Sequence, residues 1–79
     1  MERYRNLGGN SGVVAFEIGE HLIVIEFAPR SGSRERFYRY TTRSAGAEHL
    51  REMQRLARAG QGLATYISQS NPDYESRWR

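Results

Sequence analysis

The sequence predicts a single α+β domain in which a three-stranded antiparallel meander is followed by two helices packed on one face of the sheet. Two runs of β-branched and aromatic residues lie on either side of a short glycine-containing turn, and a third such run follows a loop. After residue 43 the apolar period changes from two residues to about 3.6. A chain of 79 residues has room for one small core. We expect a flexible lead-in over 1–12, one domain over 13–70 and a tail over 71–79.

The lead-in is polar and carries three glycines, Gly8, Gly9 and Gly12. A glycine loop that holds phosphate needs a strand before it and a helix after it, whereas a strand follows these glycines. We therefore interpret this segment as a flexible start and not as a phosphate site.

Residues 13–18 and 21–27 predict a hairpin whose two-residue turn is Gly19-Glu20. In that register Phe16 lies opposite Ile23, and one face collects the large apolar side chains that helices must cover. The other face is only half polar, so we expect cover from Tyr4, Leu7, Trp78 or a partner chain. Its members are Val13, Ala15, Leu22 and Val24, together with Glu17 and Glu26.

Residues 28–34 predict a loop, and residues 36–41 return as the third strand. Alternation places Tyr38 and Tyr40 on one face and Phe37 and Arg39 on the other. The tyrosines belong to the more apolar set, so we expect them to face the helices.

The helical part begins near residue 44, and Gly60 predicts the end of the first helix. A second helix is predicted over 63–70, where Asn71 and Pro72 end it. The apolar side of the first helix is formed by Leu50, Met53, Leu56 and Ala57.

All twelve basic residues are arginine, and residues 28–43 hold five of them against one glutamate. Such a stretch attracts phosphate backbones or acidic surfaces, and arginine also stacks on rings. The alternative is that arginine usage reflects base composition and a solvated surface. A second stripe on the first helix, formed by Arg51, Arg55 and Arg58, either extends the basic surface or is solvated.

The chain resembles a known family, the KTSC domain, which occurs alone in bacteria and at the C-terminus of some lysyl-tRNA synthetases. The resemblance rests on the Tyr-x-Tyr element Tyr38-Arg39-Tyr40 at a strand end, preceded by two short apolar strands over 11–27. A leucine-bearing helix end with a glycine break over 56–62, and then Tyr66-Ile67, resemble the downstream part. The resemblance spans about residues 11–67. It implies an RNA-binding role, which is itself only a proposal for the family, and no enzymatic activity.

Two classes of function remain open from the sequence. In the first, the domain binds RNA or another nucleic acid through the third strand and its loop, and the candidate residues are Arg30, Arg34, Arg36, Phe37, Tyr38, Arg39, Tyr40 and Arg43. In the second, it is a protein-interaction module, either a homodimer or a small inhibitor of a larger complex, that uses Val13, Ala15, Leu22 and Val24.

The sequence shows no pattern typical of an enzyme or a metal site. It has no cysteine, and His21 and His49 lack further ligands at metal spacing, so we expect neither a metal nor a cofactor. No nucleophile elbow, Walker loop or paired carboxylate is visible. The longest apolar run, residues 22–25, is too short to cross a membrane, and the first ten residues lack the apolar stretch of a signal peptide. We therefore expect a cytoplasmic binding domain.

Overall fold

The structure, a computed structural model, describes residues 1–9, 11–29 and 34–79. Over these ranges the chain is α+β, as predicted, and its strands form one antiparallel sheet in the order β1-β2-β3-β4-β5. The elements are β1 (Glu2–Arg3), β2 (Val13–Gly19), β3 (Leu22–Phe27), β4 (Phe37–Thr41), α1 (Thr42–Ala45), α2 (Ala47–Ala59), α3 (Leu63–Ser70) and β5 (Ser76–Trp78).

The described chain has two strands and one helix more than the predicted meander with two helices. The predicted lead-in supplies β1, which pairs with β2, and it also supplies Tyr4, which is 3% exposed. The predicted tail supplies β5, which pairs with β4. Strands of two and three residues are too short to show a period in the sequence.

The turn between β2 and β3 is Glu20-His21, so the prediction of Gly19-Glu20 is wrong by one position. Gly19 instead pairs with Leu22 at the end of the ladder. A Cβ on residue 19 would lie 2.9 Å from Leu22 Cγ, which explains the glycine at this position. The partner of Phe16 is consequently Ile25 and not Ile23, but a slip of two residues leaves the side chains of residues 15–18 and 22–27 on their predicted faces.

A register irregularity between Val13 and Ala15 changes the face of one residue. Val13 pairs with Phe27 and lies in the core with 3% exposure, although alternation predicted it on the opposite face. A bulge of this kind places an extra residue in one strand and reverses the alternation beyond it.

The core lies between the sheet and the helices. Its fully buried side chains are Phe16, Ile23, Ile25, Met53 and Leu63. The amide of Leu63 donates to the Tyr4 hydroxyl at 3.3 Å, which ties the N-terminal segment to α3. The side-chain amide of Gln54 donates to the carbonyls of Gly19 and Leu22 and so fixes α2 against the hairpin.

Gly60 ends α2 in the left-handed conformation, with φ of 78°. A Cβ at this position would lie 2.8 Å from Arg5 Cβ, because the N-terminal segment crosses the helix end here. The Leu7 amide donates to the Gly60 carbonyl in the same crossing. Gly60 is therefore constrained both by its backbone and by a close neighbour.

We expect Gly60→Ala to lower the free energy of unfolding by about 2–3 kcal/mol, since a left-handed residue with a Cβ is strained and the Arg5 contact adds to the strain. Gly62→Ala is the matched control. Gly62 also has a positive φ, of 84°, but a Cβ there makes only an ordinary contact of 3.5 Å. Urea unfolding of both variants measures the difference, and equal losses would contradict the packing of Arg5 on Gly60.

Candidate functional site

The candidate site lies on the open face, which we define as the side of the sheet opposite α2 and α3. Register assigns Ala15, Val24 and Phe37 to this face, because their cross-strand partners alternate with the core residues. The complete set is Arg3, Ala15, Glu17, Leu22, Val24, Glu26, Phe37, Arg39, Thr41, Ser76 and Trp78.

Two aromatic rings stack on each other on the open face. Phe37 and Trp78 are direct partners on β4 and β5, and their ring centroids are 5.8 Å apart with planes 13° from parallel. Trp78 is 38% exposed, and Phe37 is half-buried. The two strands thus present nearly parallel rings to solvent.

A guanidinium group lies over each ring. The central carbon of Arg39 is 5.4 Å from the Trp78 centroid, and that of Arg36 is 5.8 Å from the Phe37 centroid. These distances suit cation–π attraction. The Nε atoms of both arginines are buried without a hydrogen-bond partner, although the two side chains as a whole are 42% and 43% exposed. We call Arg36, Phe37, Arg39 and Trp78 the arginine–aromatic layer.

Carboxylates hold the two arginines of the layer. Arg36 Nη2 lies 2.8 Å from Glu26 Oε2, and Arg39 Nη1 lies 3.7 Å from Glu75 Oε1. The positive charge predicted for residues 28–43 is thus partly neutralised at Arg36, just before β4, and at Arg39, in the middle of β4. These pairs also help to keep the guanidinium groups close to the rings.

The unpaired positive charge lies beyond the two ends of β4. Arg34 precedes the strand and Arg43 follows it, and both are exposed without an ion pair to any residue that the structure describes. Arg30, the remaining predicted arginine of this segment, lies outside the described residues. Arg3 is also exposed, on the far edge of the open face.

Tyr38 and Tyr40 face the helices, as alternation predicted, so they are separated from the other candidate nucleic-acid residues. Tyr40 is 3% exposed, and its ring is stacked with that of Tyr38 at 6.4 Å. Burial raises the pKa of Tyr40 to about 12, and the neighbouring Tyr38 and Tyr74 add to this shift.

The apolar surface predicted for a protein partner is mostly inaccessible. Val13 is in the core, and Ala15 and Val24 are 8% and 6% exposed on the open face. Leu22 is the one residue of the four that is partly exposed. The accessible side chains of this face therefore include the arginine–aromatic layer, Arg3 and Glu17.

Sequence reasoning considered Trp78 only as cover and missed Glu75. Ser76 and Trp78 are two residues apart, as residues on one face of a strand are, but a segment of three residues is too short to distinguish a strand from a frayed end. Glu75 meets Arg39 only because β5 pairs with β4, a contact between residues 36 positions apart that no local pattern shows.

The remaining candidate residues make local contacts. His49 Nδ1 contacts the Tyr66 hydroxyl, and exposed His21 lies 3.8 Å from Glu20. Arg55 pairs with Glu52, and hydrogen bonding from Arg55 lowers the pKa of the Glu52 carboxyl. Arg51 and Arg58 are exposed.

In the part of the chain that the structure describes, no three histidine or acidic side chains gather in a group suited to a metal ion.

Comparisons with protein-family models, curated proteins and solved structures return no match for this chain. The resemblance to the KTSC domain consequently stays a prediction from the sequence. Over residues 1–9, 11–29 and 34–79, no helix has the length and apolarity needed to cross a bilayer.

The raised pKa of Tyr40 predicts a loss of stability at high pH. A tyrosine in the unfolded chain ionises near pH 10, whereas Tyr40 in the folded chain holds its proton to about pH 12. The unfolded state therefore binds fewer protons between these values, and stability falls as pH rises through this window. We expect Tyr40→Phe to flatten the decline when urea unfolding is measured from pH 9 to 12. An unchanged decline would contradict the burial of this hydroxyl.

Proposed function

We propose that the domain binds single-stranded RNA on the open face, with bases stacked on Phe37 and Trp78. The observation that carries the proposal is the pair of near-parallel rings on a sheet face opposite the helices. Single-stranded nucleic acids are commonly bound by aromatic side chains on sheet surfaces, because unstacked bases offer flat faces. The predicted KTSC resemblance supports the same class of ligand.

In this proposal Arg36 and Arg39 extend the stacking surface and do not serve as the main phosphate contacts. Their charges are already paired with Glu26 and Glu75, but their guanidinium carbons lie 5.8 and 5.4 Å from the centroids of the Phe37 and Trp78 rings. Arginine planes stack on bases in the same way as aromatic rings. The carboxylates thus help to hold the stacking surface in its bound geometry before RNA arrives.

Phosphate contacts fall to the arginines beyond the ends of β4, Arg34 and Arg43, with Arg3 at the edge. When bases of an RNA strand stack on the two rings, the phosphates that flank those bases lie on either side of the ring pair. Only a few phosphates are neutralised in this arrangement, so affinity depends more on stacking than on charge. As part of the same proposal, the domain acts in the cytoplasm and binds without catalysing a reaction.

We expect Phe37→Leu and Trp78→Leu each to weaken binding to a labelled oligouridine about 5- to 100-fold, because a stacked base contributes about 1–3 kcal/mol. Leucine keeps apolar cover over the sheet while it removes the flat ring. Tyr66→Leu is the matched control, since Tyr66 lies on α3 away from the open face. Fluorescence anisotropy gives the affinities, and wild-type binding by both open-face variants would exclude the site.

We expect the affinity to fall with salt at a log–log slope of about 1–2, at roughly 0.7 per phosphate neutralised. The double variant with Arg34→Gln and Arg43→Gln should lower this slope by about 1.4. A second double variant, Arg51→Gln with Arg58→Gln, tests the stripe on α2 and should leave the slope unchanged. If the α2 variant changes the slope and the other does not, RNA binds to the helices and not to the open face.

A further inference from the structure

The arginines at the candidate site fall into two groups. Arg36 and Arg39, in the arginine–aromatic layer, have carboxylate partners, whereas Arg34 and Arg43 form no ion pair with any residue that the structure describes. The side chains of Arg36 and Arg39 are nevertheless 42% and 43% exposed, so a polyanion in solution can reach them. The centre of the site is therefore accessible but electrostatically close to neutral.

The two carboxylates hold their arginines differently. Glu26 accepts a hydrogen bond of 2.8 Å from Arg36 Nη2, and the Glu26 side chain is only 18% exposed. The Glu75 carboxylate lies 3.7 Å from Arg39, which is an ion-pair distance but too long for a hydrogen bond, and the Glu75 side chain is 44% exposed. The Glu75 amide donates to the Arg39 carbonyl at 2.7 Å, so the backbone keeps residue 75 beside Arg39 whatever its side chain. Both carboxylates are thus in place before any ligand arrives.

A phosphate and a base meet this centre under different conditions. A phosphate gains from an arginine mainly by releasing counterions, and a carboxylate that already neutralises the arginine removes this gain. The carboxylate also repels the phosphate, which must displace it or lie beside it. A uracil base carries no charge, so its stacking on Phe37 or Trp78 is not opposed in this way.

We propose that Glu26 and Glu75 make the open face select nucleic-acid bases over base-free polyanions such as polyphosphate. The carboxylates act as built-in competitors that keep phosphates away from the rings, and phosphates bind only beyond the ends of β4. Selectivity of this kind comes from a repulsive element and not from an additional contact. The inference rests on the proposed RNA site and adds the class of ligand that this site rejects.

The test compares two labelled probes of equal length by fluorescence anisotropy: oligouridine, and an abasic oligonucleotide that keeps the phosphates but has no bases. We expect the wild type to bind oligouridine at least about 10-fold more tightly, since the abasic chain cannot stack. In Glu75→Gln the freed Arg39 should steepen the log–log salt slope for the abasic chain by about 0.7 and reduce the preference severalfold. The double variant with Glu26→Gln should steepen this slope by about 1.4.

Glu17→Gln is the matched control, because Glu17 is also an exposed carboxylate of the open face but forms no ion pair with any described residue. The control changes the net charge by the same amount as Glu75→Gln and frees no arginine. We expect it to leave the slope for the abasic chain and the preference close to those of the wild type. An equal change in Glu17→Gln would overturn the inference, since net charge alone would then explain the result.

The inference and the RNA proposal fail in different ways. If the wild type prefers oligouridine but Glu75→Gln and the double variant keep its slope and its preference, the inference is wrong and the RNA site stands. If the wild type binds both probes equally, or binds neither, the RNA proposal is wrong and the selectivity falls with it.

Discussion

The structure depends on one constraint: β3 is apolar on both faces, but the helices cover only one of them. Ile23 and Ile25 are fully buried on the side that the helices cover. Val24, on the opposite face, is nearly as well buried, with only 6% exposure. The neighbour of Val24 on β4 is Arg39, which shares the open face with Phe37 and Trp78. Side chains of the sheet itself thus replace a second layer of helices, and the long apolar stems of arginine suit them to this purpose.

The same constraint accounts for the contacts that hold the side chains of the open face in place. Trp78 reaches its position because β5 pairs with β4, and Glu75, just before β5, holds Arg39. Glu26 holds Arg36 from the central strand. A rigid arrangement of rings and planar cations loses little conformational freedom on binding, which favours affinity from a small contact area. The alternation of β4 places Tyr38 and Tyr40 on the opposite face, so one strand contributes to both sides of the sheet.

Much of this arrangement follows from local patterns. The alternation of 36–41 predicted both that Tyr38 and Tyr40 face the helices and that Phe37 and Arg39 face outward, and the helical period with Gly60 predicted the end of α2. The predictions that failed concern features that depend on contacts between residues distant in the sequence. The turn is Glu20-His21 and not Gly19-Glu20, because Gly19 pairs with Leu22 in the strand ladder, where a Cβ would be too close to the Leu22 side chain. The bulge places the side chain of Val13 on the face opposite to the predicted one. The edge strands exist only because a neighbouring strand pairs with them, as the Glu75–Arg39 contact shows.

The central claim is that bases stack on the arginine–aromatic layer, and Trp78 reports on it directly because it is the only tryptophan of the chain. The most direct measurement is Trp78 emission during titration with oligouridine, in parallel with anisotropy of the labelled oligonucleotide. The account predicts that emission is quenched with the same midpoint as the anisotropy change, since a base in contact with the indole quenches it. Binding seen by anisotropy with unchanged Trp78 emission would contradict the account.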